Sequence, residues 1–171
     1  KDLSINLKYL PPQSLPVGLE ELNILDIIMV DPTAVSGLTE AQVQTIKEWV
    51  YFGGRLVLFG GAGASDGGLF ADLTPVRPTE EKLVSGSLKG LRTGEPLPVA
   101  SGEIIAGESI LADNGVTVLA QRELGRGQVY YCGAVPAELG KGATGVWSLL
   151  AGLSSGQIVL EDGSVLRYTP L

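Results

Sequence analysis

An α/β domain with a mainly parallel central sheet flanked by helices is the fold this sequence predicts. Three observations lead there. Asn23 to Val30 is a nearly continuous apolar run ended by Asp31-Pro32, as in a strand buried on both faces of a parallel sheet. A stretch with complete helix-start signals follows it. After Gly53-Gly54 comes a second apolar run, Arg55-Leu56-Val57-Leu58-Phe59. Strand, helix and strand in that order make a βαβ unit, whose crossover is right-handed as a rule.

The helix between those strands is the best specified element. Thr39 is placed as the N-cap and Gln42 closes a capping box, with Leu38 and Val43 at the spacing of a hydrophobic staple. Val43, Ile46, Trp49 and Val50 recur at helical spacing and form one apolar face, while Glu40, Gln44, Lys47 and Glu48 lie mostly off it. Gly53-Gly54 stops it as a left-handed terminal residue would.

Upstream, Leu3 to Leu10 alternates loosely and predicts a first strand, broken by Pro11-Pro12. Leu15 to Leu22 is a short approach containing one helical turn. Downstream, the loop Gly60 to Gly68 leads to a further turn at Leu69 to Leu73, ended by Thr74-Pro75. From Val76 to about Val99 periodicity is lost among Pro78, Gly86, Gly90, Gly94, Pro96 and Pro98. The expectation there is an irregular excursion with one short strand at Lys82 to Ser85, β-rich to about Gln121. Ile104-Ile105 and Ser109 to Leu111 are short strand candidates. Asn114-Gly115 is a hairpin turn signal before a strand at Val116 to Gln121. Gly125-Arg126-Gly127 turns the chain into Gln128 to Cys132, rich in β-favouring residues. Thr144 to Leu153 reads as a closing helix, and Ile158 to Leu160 with Val165 to Tyr168 as a hairpin around Asp162-Gly163. The expected organisation is a domain over 1–153 and a tail or hairpin over 154–171 that leads to a following domain.

With 171 residues, 44% of them hydrophobic, the chain is long enough for a core of its own. No apolar run approaches the ~20 residues of a membrane span. Twelve basic against nineteen acidic residues give a net charge of −7, which argues against nucleic-acid and anionic-membrane surfaces. One cysteine, Cys132, excludes an intramolecular disulfide. Histidine is absent. That removes His-based general bases, Ser-His and Cys-His pairs, and imidazole metal sites. The chain begins at Lys1 without a signal-peptide pattern and reads as a piece excised from a longer protein.

Several residues are candidates for chemistry. Gly63-Ala64-Ser65-Asp66-Gly67 spells a nucleophile-elbow string, but the elbow needs its serine at the strand end and a histidine partner. Ser65 lies several residues past Phe59, so a glycine loop is the plainer reading. The same loop, through Gly60, Gly61, Gly63 and Ser65, lies past the carboxyl end of a parallel strand, where its backbone N–H groups could cradle an anion. Asp31 and Asp66 could share that crevice and hold a hard cation; the alternative for Asp31-Pro32 is an Asx-bonded turn. Cys132 would need a cationic neighbour or a helix terminus to act as a nucleophile, and a buried thiol is the commoner state. Trp49, Trp147 and Tyr130-Tyr131 read as core and sheet residues.

Leu19 to Pro32, then Leu38-Thr39-Glu40-Ala41-Gln42, Trp49-Val50, Gly53 to Leu58, and Arg122 to Val129 together resemble the class I glutamine-amidotransferase-like domains of extracytoplasmic regions of bacterial membrane proteins. The resemblance spans roughly residues 5 to 153. It implies a flavodoxin-like three-layer α/β sandwich set among neighbouring domains of the same chain. Active members carry a cysteine on a sharp strand-to-helix turn with late His and Glu. Without histidine, and without Gly-x-Cys-x-Gly around Cys132, it implies a degenerate, non-catalytic copy. The sequence therefore predicts a non-catalytic binding or structural module of a larger cell-envelope protein on the extracytoplasmic face, with no cofactor, no metal and no direct membrane contact. The alternatives are a hydrolase or amidotransferase-type enzyme using Cys132 or Ser65, a small-ligand or anion receptor at the Gly60 to Gly68 loop, and a cytoplasmic location.

Overall fold

The computed structural model describes residues 10–85 and 95–139, together with the strands Gly156–Val159 and Val165–Tyr168. The expected strand at Leu3 to Leu10 falls outside them except for Leu10. The expected helix at Thr144 to Leu153 and the Asp162-Gly163 turn lie outside them altogether.

The chain enters through a single 3-10 turn, Pro12–Ser14, and a one-turn helix α1, Leu19–Leu22. Strand β1 is Ile27–Val30, four residues rather than the eight of the apolar run. The reason is local. Asn23 is the C-cap of α1, the Leu25 N–H donates to the Leu22 carbonyl, and Ile24 is 84% exposed. Asp31 then caps a second one-turn helix α2, Pro32–Val35.

Helix α3, Glu40–Tyr51, has the anticipated capping box. Its Val43, Ile46, Trp49 and Val50 are all buried, each stabilising the fold by about 1.5–3 kcal/mol. A good cap is worth about 1 kcal/mol, so packing, more than capping, holds the helix. Gly53 (φ +126) ends it, and a side chain at Gly54 would enter the Trp49 ring. Strand β2, Arg55–Phe59, has the expected bounds.

After a loop at 60–75 the chain forms β3, Val76–Val84, and β4, Leu97–Ile104, an antiparallel two-stranded ribbon. This corrects the single short strand expected at Lys82 to Ser85. Pro78 sits at a register shift between Pro78 and Glu80, and the five consecutive β3 residues 79–83 are all exposed, so no period-2 apolar pattern marks the strand. Strand β5, Glu108–Asp113, turns at Asn114 (φ +48) and Gly115 (φ +82) into β6, Val116–Leu124. Gly125 (φ +61) turns β6 into β7, Gly127–Cys132, and a short helix α4, Pro136–Leu139, follows. Strands β8, Gly156–Val159, and β9, Val165–Tyr168, pair antiparallel, the hairpin expected of the tail.

The central sheet has the order β1-β2-β7-β6-β5. Strands β1, β2 and β7 run parallel, while β7-β6-β5 is an antiparallel meander. The sheet is thus mixed, parallel at one end, and β5 and β6 belong to it instead of to an excursion. Two-residue turns join only antiparallel strands, so Asn114-Gly115 and Gly125-Arg126 already dictated that half. Alternate residues of β2 and β7 face opposite sides. Leu56, Leu58, Val129 and Tyr131 meet α3 with Phe70 and Leu73. Val57, Phe59, Tyr130 and Cys132 meet Val84, Leu97 and Val99 of the ribbon and Leu139 of α4. The molecule is α/β, and on one face of its sheet a β-ribbon occupies ground that helices were expected to cover.

Candidate functional site

In an open α/β sheet the place to look for a site is the crest beyond the carboxyl ends of the parallel strands. Here those ends are Val30, Phe59 and Cys132, and Asp31, the Gly60 to Gly68 loop and Gly133-Ala134 follow them directly.

Asp31 is held by its own backbone. Its Oδ1 accepts the N–H groups of Thr33 (2.8 Å) and Ala34 (3.0 Å) and the Thr33 hydroxyl (2.6 Å). It works as the cap of α2, the turn alternative of the sequence reading. Asp66 lies on the exposed tip of the loop, its Oδ1 2.8 Å from Nε of Arg77 on β3. Both partners are largely in solvent, so the pair is worth at most about 1 kcal/mol. The two carboxylates therefore each have a separate partner. Among the described residues no group of three or more His, Cys, Asp or Glu side chains could hold a metal.

The loop is folded on itself. Gly60 (φ +55) donates its N–H to the Cys132 carbonyl (2.8 Å), Ala62 to Phe59 (2.8 Å), Ala64 to Gly61 (3.0 Å) and Gly68 to Ser65 (2.8 Å). A side chain at Gly60 would strike Val135 and Pro32, so the loops after β1, β2 and β7 meet at this residue. Ala62 and Ala64 are buried, and Ser65, Asp66 and Gly67 are exposed. Ser65 is thus on a solvent-facing loop tip, away from a strand end, with no long helix behind it.

The ribbon crosses the crest. Val76, at the start of β3, is buried with the α3 face, whereas Val84, Leu97 and Val99 are buried with the opposite face. Between them Pro78 and Ala100 pack against Gly61, and Val99 and Ala100 against Gly133. Two polar contacts fix the crossing. The Ala100 N–H donates to the Gly133 carbonyl (2.8 Å), and the Tyr131 hydroxyl donates to the Ala100 carbonyl (2.6 Å). Burial raises the Tyr131 phenol well above its ordinary value, which keeps it a neutral donor.

Cys132 lies at the end of β7 and is completely buried. Burial pushes its thiol up to about 12, and a hydrogen bond from the Ala134 backbone only partly opposes this. At neutral pH the sulfur carries no appreciable thiolate, the species a nucleophile needs.

Sequence reasoning missed Arg77, Ala100 and Gly133. Arg77 stood in the stretch read as irregular, and Ala100 and Gly133 matter only through contacts distant in sequence. It also read Gln42 as a cap alone. In the fold its Oε1 accepts the Thr39 N–H (2.9 Å), and its Nε2 donates to the carbonyls of Pro12 (2.7 Å) and Leu15 (2.8 Å).

No protein-family model matches the chain, and no curated protein does. Two cytoplasmic proteins of Salmonella typhimurium are similar in structure. One, at 16% identity, has a TM-score of 0.55 over 78% of this chain and 73% of its own. The other, from strain LT2, has 0.53 at 16% identity over 78% and 74%. At such identity they speak to the fold alone. A beta-galactosidase from Bacillus circulans sp. alkalophilus reaches 0.49 at 17% identity over 74% of this chain. The chain spans 22% of that enzyme's length, and the likeness is too distant to argue from. Among the described residues no helix is long and apolar enough to cross a membrane.

Proposed function

We propose that this chain is a non-catalytic binding or structural module of a larger protein. The observation that carries the reading is the occupied crest. The β3–β4 ribbon runs over the ends of β2 and β7, packed on Gly61 and Gly133, where an α/β enzyme keeps its reacting groups. Beneath it the one thiol is buried and protonated, and the sequence holds no histidine to activate any nucleophile. The resemblance to class I glutamine-amidotransferase-like domains extends the proposal to a flavodoxin-like sandwich in the extracytoplasmic part of a bacterial membrane protein, in contact with neighbouring domains of its own chain.

The alkylation rate of Cys132 in the native and the urea-unfolded protein, followed across pH, tests this. The expected result is a native thiol slower than the unfolded one, with no titration below about pH 8. A native thiol faster than the unfolded one, titrating lower, would overturn the reading in favour of an enzyme.

One observation favours a second reading, an anion receptor at the loop. Arg77 stands beside the exposed Ser65-Asp66-Gly67 tip, bonded to Asp66. Asp66→Asn would free that guanidinium, so phosphate should raise the melting temperature of this variant more than that of the parent. Equal shifts would rule the receptor out.

A further inference from the structure

We propose that Asn114-Gly115 is a site of spontaneous deamidation, and that the modified turn loosens the end of the β3–β4 ribbon through Asp113. The turn is the two-residue connection between β5 and β6, with Asp113 opposite Val116. Both central residues have positive φ, 48° and 82°, the type I′ geometry in which the central amides stand outside the ladder. Both residues are exposed, and nothing lies within 4 Å of the position a Gly115 Cβ would take. Residue 115 thus carries no side chain and has none packed over the place where one would stand. Asn6 and Asn23, the other asparagines, precede Leu7 and Ile24, whose bulk hinders the same attack.

The step balances with water as its co-reactant. The Gly115 backbone nitrogen bonds to Asn114 Cγ while the Cγ–Nδ2 bond breaks. Nδ2 departs as ammonia, taking up the proton the Gly115 nitrogen loses, and a cyclic succinimide remains. Water opens either C–N bond of the ring, its hydroxyl going to carbon and its proton to nitrogen. The products are aspartate or isoaspartate at position 114.

The consequence follows from what Asn114 touches. Its Nδ2 donates to Asp113 Oδ1 (3.1 Å), and Asp113 Oδ2 accepts the Ser85 N–H (2.6 Å). Ser85 directly follows β3. Deamidation replaces the donor facing Asp113 with a second carboxylate. Like charges at adjacent positions repel, and Asp113 is drawn off Ser85. Isoaspartate also lengthens the backbone inside a turn whose length sets the β5–β6 register.

The test is incubation of the native chain in mildly alkaline buffer, digestion, and mass analysis with isoaspartate detection for the three asparagines. The peptide holding Asn114 should convert several-fold faster than those holding Asn6 and Asn23. Equal conversion would overturn the site. The link to Ser85 is read separately by amide hydrogen exchange in Asn114→Asp and Asn114→Gly, both compatible with positive φ. Ser85 should exchange several-fold faster in Asn114→Asp. Equal exchange in the two variants would overturn the coupling.

Discussion

Gln42→Glu separates two accounts of α3. In a capping box Glu serves as well as Gln, and a negative charge in the first turn gains a few tenths of a kcal/mol from the helix dipole. On that account the variant is neutral or slightly stabilised. The structure gives Gln42 a second task. It is 4% exposed, and its Nε2 holds the Pro12 and Leu15 carbonyls at 2.7 and 2.8 Å. Only an amide, with an acceptor on one side and donors on the other, satisfies all these partners. A carboxylate in the same place presents an oxygen to two carbonyl oxygens. An unmade bond to a buried polar group costs about 1–3 kcal/mol, and water reaches these half-buried carbonyls in part, so the expected loss is about 2–4 kcal/mol. For a domain of this size that is a fall in melting temperature of roughly 5–15 °C. The facing oxygens also raise the introduced carboxyl's pKa above its value in the unfolded chain. The folded state then binds the proton more tightly, so stability recovers as pH is lowered toward 5 and is lost as pH rises. Thermal melts of the parent and the variant at pH 7 and pH 5 measure both effects. A variant as stable as the parent at pH 7 would refute the second task of Gln42.

Four further outcomes follow from the crest. Tyr131→Phe removes the bond to the Ala100 carbonyl (2.6 Å) and should cost about 1–2 kcal/mol in urea unfolding. The raised ionisations of Cys132, Tyr131 and Tyr130 all come first from burial. The folded state keeps these protons longer than the unfolded chain, so stability is full below about pH 9 and falls as pH rises beyond it; Tyr131→Phe should flatten that fall in alkaline melts. Gly133→Ala drives a methyl into Val99 Cγ1 and to 2.6 Å from the Ala100 carbonyl oxygen. Backbone cannot yield as a flexible side chain would, so a loss of about 2–3 kcal/mol and earlier proteolysis within the ribbon are expected. Asp31→Ala should cost about 1 kcal/mol and Asp31→Asn almost nothing, because asparagine caps equally well; equal losses in chemical denaturation would mean the charge itself matters.

The legible parts of this fold are those whose determinants are close in sequence. Thr39, Gln42, Val43 and Gly53 act within one helix, and β2 and the Asn114-Gly115 turn are likewise local, so each was readable with nearly its observed bounds. Strand β1 is shorter than its apolar run because hydrophobicity does not distinguish an exposed Ile24 from a buried Ile28. The ribbon is not legible because β3 buries its two ends and leaves its middle in water, with a proline at the bulge. At the candidate site the sequence supplied the loop, Asp31 and Cys132. It could not supply Pro78 and Ala100, which reach Gly61 from the other side of the crest.

Three glycines explain why the crest is closed. Gly60, Gly61 and Gly133 follow the ends of β2 and β7, and at each the space a side chain would fill belongs to another segment: Val135 and Pro32, Pro78 and Ala100, Val99 and the Ala100 carbonyl. In a phosphate-binding loop, glycine lets a ligand approach the backbone. Here it lets the protein's own chain do so, and the same lack of a side chain seats the ribbon. With Gly60 donating to Cys132 and Ala100 to Gly133, opening the crest for a substrate would cost backbone hydrogen bonds and the packing of Val99 together. A binding role is then better sought on the outer surfaces of the ribbon and the Ser65–Gly67 tip than in the crevice beneath them.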